Sequence, residues 1–130
     1  MTPEEHIDYW VSASDLDFQT MENLFKSKDY SWALFMGHIV IEKLLKAYYV
    51  KTVTSNPPRI HNLLRLAEKT NLSLSDEQKD HLILIKTFNL NTRYPDYKFE
   101  FYKKCTKDFT QRNLKIIKDL RKWMKEQIKK

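Results

Sequence analysis

The sequence predicts an all-α fold, an antiparallel up-and-down bundle of four to five helices, and three observations carry that prediction. The chain holds a single glycine in 130 residues, so the positive-φ turns that hairpins, phosphate loops and dinucleotide loops need are nearly absent. Apolar residues recur at helical spacing over several long stretches, and none reads as a strand. Two segments, Thr2-Pro3-Glu4-Glu5 and Ser75-Asp76-Glu77-Gln78, open with the spacing of a helix capping box. With 42% hydrophobic and 13% aromatic residues, the chain has the apolar surface to offset the entropy of ordering. One domain over residues 1–130 is expected.

The first helix starts at Pro3, where a missing amide costs nothing, and is expected to reach about Lys26. Its apolar side carries Trp10, Ala13, Met21 and Leu24, with Asp17 among them. Ser27-Lys28-Asp29 breaks the pattern, and Asp29 suits the N-cap of a second helix running to about Thr52. From Trp32 to Tyr49 nearly every position is apolar, which places this helix at the bundle centre. Asn56-Pro57-Pro58 ends it. A short third helix is expected over about Ile60 to Thr70, and a fourth from Ser75 to about Asn91. Asn91-Thr92-Arg93-Tyr94-Pro95-Asp96 reads as a loop. Phe109, Ile116, Leu120, Met124 and Ile128 define the apolar face of a long last helix, with lysines opposite.

Net charge is +6, yet residues 103–130 hold eleven Lys or Arg against three acids, so the basic character belongs to one segment. Such a segment attracts phosphate backbones without reading sequence, and equally serves as a solvated face. The lone Cys105 excludes an intramolecular disulfide and paired-cysteine metal motifs. The acidic N-terminus lacks the basic start and apolar run of a signal peptide, and no stretch approaches the roughly 20 apolar residues of a membrane span. A cytoplasmic protein without membrane contact, cofactor or metal is expected.

Three polar groups interrupt the apolar second helix at four-residue spacing: His38, Glu42 and Lys46, with Lys43 beside them. Charges in a central helix cost several kcal/mol each unless paired or wet. The stripe is therefore either structural, with Glu42 and Lys46 as an i, i+4 pair, or it lines a cleft or dimer seam, positions an anionic ligand and couples to Asp17. Arg93, just before Tyr94-Pro95, offers a planar fork for phosphate oxygens with Tyr94 or Tyr97 able to stack on a base; it also suits the carbonyls of a helix end. His61 follows Pro58-Arg59-Ile60, where capping or packing is its ordinary use. The candidate nucleotide or RNA site is Asp17, His38, Glu42, Lys46, Arg93 and Tyr94.

Taken in order, Tyr9-Trp10, Asp17, Tyr30-Ser31-Trp32-Ala33, Ile41-Glu42-Lys43-Leu44-Leu45-Lys46-Ala47, His61 and Arg93-Tyr94-Pro95-Asp96 resemble the HEPN domain over most of the chain. The likeness is to small prokaryotic HEPN proteins with an Arg-Tyr-Pro-Asp signature, often encoded beside a minimal nucleotidyltransferase. It implies a dimerising bundle with a cleft near the two-fold axis associated with nucleotide or RNA. It also implies that Asp17, Glu42, Lys46 and Arg93 matter. Many members are metal-independent ribonucleases with a histidine shortly after an arginine. Here the positions for that histidine hold Lys98, Phe99 and Glu100, and histidine is the usual proton carrier at neutral pH. The resemblance thus implies a binding or accessory module partnered with a nucleotidyltransferase in a two-gene, toxin-antitoxin-like system. A ribonuclease toxin using Arg93 with Glu42 or His61, and a purely structural adaptor, are the alternatives.

Overall fold

The computed structural model describes residues 1–130, the side chain of Pro95 excepted. Six helices follow in order: α1 (Pro3–Lys26), α2 (Tyr30–Thr52), α3 (Leu63–Glu68), α4 (Asp76–Arg93), α5 (Pro95–Lys104) and α6 (Lys107–Lys129). No strand occurs among the described residues, and none of these helices is long and apolar enough to cross a membrane.

The caps explain most boundaries. Thr2 Oγ1 accepts the amide of Glu5 at 3.1 Å at the start of α1, and Ser75 with Gln78 completes a reciprocal capping box on α4. α1 ends in a Schellman turn: the amide of Asp29 bonds the Leu24 carbonyl and that of Lys28 bonds the Phe25 carbonyl. Lys28 takes the left-handed position, with φ 68°, which glycine fills most cheaply. Asp29 stands at the N-cap of α2, but its carboxylate accepts Ser27 Oγ at 2.6 Å instead of capping the helix.

Two expectations need correction. The third helix is shorter than expected, because Asn62 caps it by accepting the amide of Arg65. The loop expected at residues 91–96 is a single extended residue, Tyr94, between α4 and α5. Proline at the first turn of α5 starts a helix as readily as it ends one, and the extra helix brings the count to six.

The long helices alternate in direction along the chain. Pairings of Phe25 with Tyr30, Met21 with Gly37 and Trp10 with Lys46 run α1 antiparallel to α2. Thr92 Oγ1 donates to the Ser31 carbonyl at 3.2 Å, joining the end of α4 to the start of α2. α2 and α6 consequently run parallel: Gly37 faces Ile117, and Lys51 Nζ donates to the carbonyls of Gln127 and Ile128. α2 supplies the centre, with Leu34, Val40, Ile41, Leu44 and Leu45 fully buried. Each such side chain contributes about 1.5–3 kcal/mol relative to exposure. Leu82, Ile85 and Phe88 of α4 and Leu114, Ile117 and Met124 of α6 close the core around it.

Part of the basic face of α6 is neutralised by α1. Asp15 accepts Arg121 at 3.1 Å and Lys125 at 2.9 Å, and Glu22 lies 3.5 Å from Lys118. Burial alone would raise the Asp15 pKa, but the hydrogen bond and charge of Lys125, then those of Arg121, outweigh it and hold the carboxyl below its ordinary range. Arg121 also lies 3.8 Å over the Phe18 ring. These contacts lock α6 to α1 and take three of its cations out of service as a phosphate patch.

Candidate functional site

The polar stripe of α2 becomes a site because the chain after it doubles back. Residues 53–62 leave α2 and pass through Pro57 and Pro58, and they lay His61 against the middle of the helix just before Asn62 caps α3. His61 Nδ1 lies 2.9 Å from Glu42 Oε1. A carboxylate oxygen can only accept, so Nδ1 carries the proton in this bond and Nε2 is the free nitrogen of a neutral ring. The side chain of His61 is 67% exposed and that of Glu42 only 7%. A buried carboxylate therefore fixes an outward-facing imidazole, an arrangement that holds one tautomer and one ring orientation.

The second oxygen of Glu42 takes Lys46 Nζ at 3.2 Å. Lys46 is mostly buried and its ammonium also lies 5.2 Å from the centre of the Trp10 ring on α1, within range of a cation–π attraction. One turn before Glu42, His38 is fully buried and its Nε2 donates to the His61 carbonyl at 3.1 Å. That bond ties the backbone of the returning segment to α2. The other nitrogen, Nδ1, is buried with no hydrogen-bond partner. Burial above all, then the neighbouring charges of His61 and Arg93, push the His38 pKa below its ordinary value, against the His61 carbonyl bond and Glu42, which favour the protonated ring. His38 is thus a neutral structural clamp at physiological pH.

Arg93 ends α4 with its side chain exposed. Its guanidinium carbon lies 6.0 Å from the Phe35 ring and 5.6 Å from the Tyr94 ring. Two aromatic faces of different elements hold the cation near His38 without neutralising it, so its donors remain open to an anion. Tyr94 is half-exposed beside it.

Of the six residues nominated from sequence, His38, Glu42 and Lys46 form one hydrogen-bonded group with His61, and Arg93 with Tyr94 flanks it. Asp17 does not join this group. Its carboxylate accepts Lys43 Nζ at 2.5 Å, because Lys43, one residue on from Glu42, turns toward α1. The spacing around His61 points to capping or packing as its ordinary use, and in the structure the ring is paired with Glu42. The double proline upstream signals a chain reversal, but not the residue it would land on. Cys105 takes no part: burial pushes its thiol up to about 11, which leaves it a thiol at neutral pH.

A family model described as the HEPN domain matches residues 7–127. The chain belongs to the HEPN family. HEPN domains are nucleotide- and RNA-related helical modules that often pair as dimers. The HEPN fold of this chain is similar to the crystal structure of TT1696 from Thermus thermophilus, with a TM-score of 0.80 over 92% of this chain and 96% of that one. Identity to TT1696 is 16%, so that likeness speaks for the fold alone. No curated protein matches the sequence.

Proposed function

We propose that this HEPN chain is a non-catalytic binding or accessory module that works as a homodimer, binds nucleotide or RNA, and partners a minimal nucleotidyltransferase in a two-gene, toxin-antitoxin-like system. The observation that supports it best is the exposed Arg93 near His38, the residue that ties the His61 backbone to α2. A buried carboxylate satisfied by two partners contributes no open negative charge, while the guanidinium stands exposed on an aromatic bracket. A phosphate approaching here meets the open donors of the Arg93 guanidinium. Tyr94 supplies a ring face for a base.

Titration calorimetry with ATP, and with a short single-stranded RNA, tests the reading. The wild type gives saturable binding, and Arg93→Ala weakens it at least tenfold with no change in melting temperature, since the side chain lies at the surface. Absence of nucleotide and RNA binding in the wild type overturns the reading. Co-expression with a minimal nucleotidyltransferase yields a complex of fixed stoichiometry if the partner assignment is right, and light scattering at micromolar concentration returning a monomer mass removes the homodimer.

One observation favours a second reading, a metal-independent ribonuclease. An exposed imidazole oriented by a buried carboxylate is the arrangement a general base needs to take the 2′-hydroxyl proton. RNA cleavage in chelator that vanishes in His61→Ala and in Arg93→Ala, both still folded, would replace the binding-only account.

A further inference from the structure

The start of α2 and the outer face of α5 enclose a groove apart from the Glu42 group, and its chemistry is specific. A cavity of about 370 Å³ lies between Lys28, Tyr30 and Trp32 on one side and Lys98, Phe99 and Tyr102 on the other. A second, of about 270 Å³, shares Lys28, Tyr30 and Tyr102 and adds Lys103, so the two form a continuous track. Phe99 and Tyr102 are spaced to share a helix face and are 73% and 70% exposed. Trp32 is 40% exposed. Lys98 Nζ lies 5.9 Å from the centre of the Trp32 ring and Lys103 Nζ 5.5 Å from that of Phe99. Among the described residues lining either cavity there is no aliphatic side chain. The one carboxylate, Asp29, is held by Ser27 Oγ at 2.6 Å.

The backbone supplies an independent observation. Lys28 stands at the left-handed position of the Schellman turn, φ 68°, where a lysine is strained and a glycine would not be. A side chain kept at such a position points to a use outside the fold, and it lies at the junction of the two cavities.

We propose that this groove is a track for single-stranded RNA, with unpaired bases stacking on Trp32, Phe99 and Tyr102 and phosphates meeting Lys28, Lys98 and Lys103. The inference rests on the nucleotide- and RNA-binding reading above and adds where the strand runs. Flat rings rimmed by ammonium groups match a strand that alternates π faces with phosphates. A protein-docking face shares the aromatic rings but is depleted in lysine, and three lysines, Lys28, Lys98 and Lys103, line this groove. Arg93 continues the track, since its guanidinium brackets Phe35, whose ring is edge-on to Trp32 at 5.4 Å.

The test is fluorescence anisotropy of the full chain with a labelled oligouridine of about ten nucleotides. Duplex RNA, UMP and inorganic polyphosphate serve as competitors. Phe99→Ala and Tyr102→Ala each weaken binding about 5- to 150-fold, the span of one base stack. Lys28→Gly weakens it as well and lowers the log–log salt slope by about 0.7, one phosphate contact on a single strand, while its melting temperature stays level or rises because the turn relaxes. That opposition separates a binding lysine from a structural one. The groove is refuted if these variants bind like the wild type while Arg93→Ala does not, an outcome that leaves the nucleotide reading standing. It is also refuted if polyphosphate or duplex competes as well as single strand, or if UMP binds and the oligomer does not. Conversion of dimer to monomer by Phe99→Ala without loss of RNA binding would reassign the groove to self-association. A wild type that binds neither ATP nor RNA removes both proposals.

Discussion

Gly37 is the only glycine in the chain, and its position sets up a sharp test of the packing at the bundle centre. A methyl group built there would stand under 3.0 Å from the δ-methyl of Ile117 on α6 and 3.4 Å from Met21 Sδ on α1. Both neighbours are fully buried. Replacing glycine by alanine inside a helix gains about 0.5–1 kcal/mol from reduced backbone freedom. Forcing one extra carbon into a filled core costs about 1–3 kcal/mol, so Gly37→Ala destabilises by up to about 2.5 kcal/mol. For a chain of this length each kcal/mol moves the melting temperature by about 4 °C, which makes a fall of up to about 10 °C. Ile117→Val removes the clashing methyl and alone costs about 0.5–1.5 kcal/mol through the gap it leaves. The double variant fills that gap with the new alanine, and it melts close to the wild type. Urea unfolding of the four proteins in a double-mutant cycle reads a favourable coupling of about 1–3 kcal/mol. Equal effects of Gly37→Ala with Ile117 intact and with Ile117→Val in place would refute the claim that this glycine exists to admit α6.

Two further expectations follow from the polar group. His38 titrates below its ordinary value when folded, so between that value and the unfolded value of about 6.5 the unfolded chain binds the extra proton. Its contribution to stability is full above about pH 6.5 and is lost as pH falls through the folded value; melting temperature drops on acidification from about pH 7 to about pH 5, and a His38→Gln variant with the same slope as the wild type would contradict this. Glu42→Gln leaves Lys46 mostly buried without its carboxylate and costs about 1–3 kcal/mol in chemical denaturation, whereas the same change in a Lys46→Met background costs clearly less; equal costs would mean the pair at 3.2 Å contributes nothing.

The fold was legible wherever local chemistry alone decides it. The caps at Thr2 and Ser75 form as their spacing requires, and the largely apolar run of α2 could be buried only by surrounding it. α5 escaped notice because Tyr97, Phe99 and Phe101 alternate with charged residues, a period that does not suggest a helix. In the structure only Phe101 of these is buried, stacked 5.9 Å from Phe88; Tyr97 and Phe99 remain outside, so the segment has no continuous apolar face for a sequence to display. The direction of α1 at Asp17 illustrates a second limit. One residue along a helix is about 100° of rotation, and that step is why Asp17 pairs with Lys43 rather than with the stripe beside it.

The candidate site was half-legible for a related reason. Four-residue spacing on one helix brings His38, Glu42 and Lys46 into line without any knowledge of tertiary structure, and that part could be written down from the sequence. What the line does depends on His61, which reaches it only through the path of the intervening residues 53–60. With His61 in place both oxygens of Glu42 are occupied, by His61 at 2.9 Å and Lys46 at 3.2 Å. Glu42 then has little capacity left for a ligand, and a nucleotide would gain nothing by displacing a buried, satisfied pair. Its role in any binding is to hold the imidazole. The groups left to meet a ligand are the ones it positions or spares, His61 and Arg93, and the second of these is kept available to an anion by aromatic rings, which attract a cation without taking up its hydrogen-bond donors.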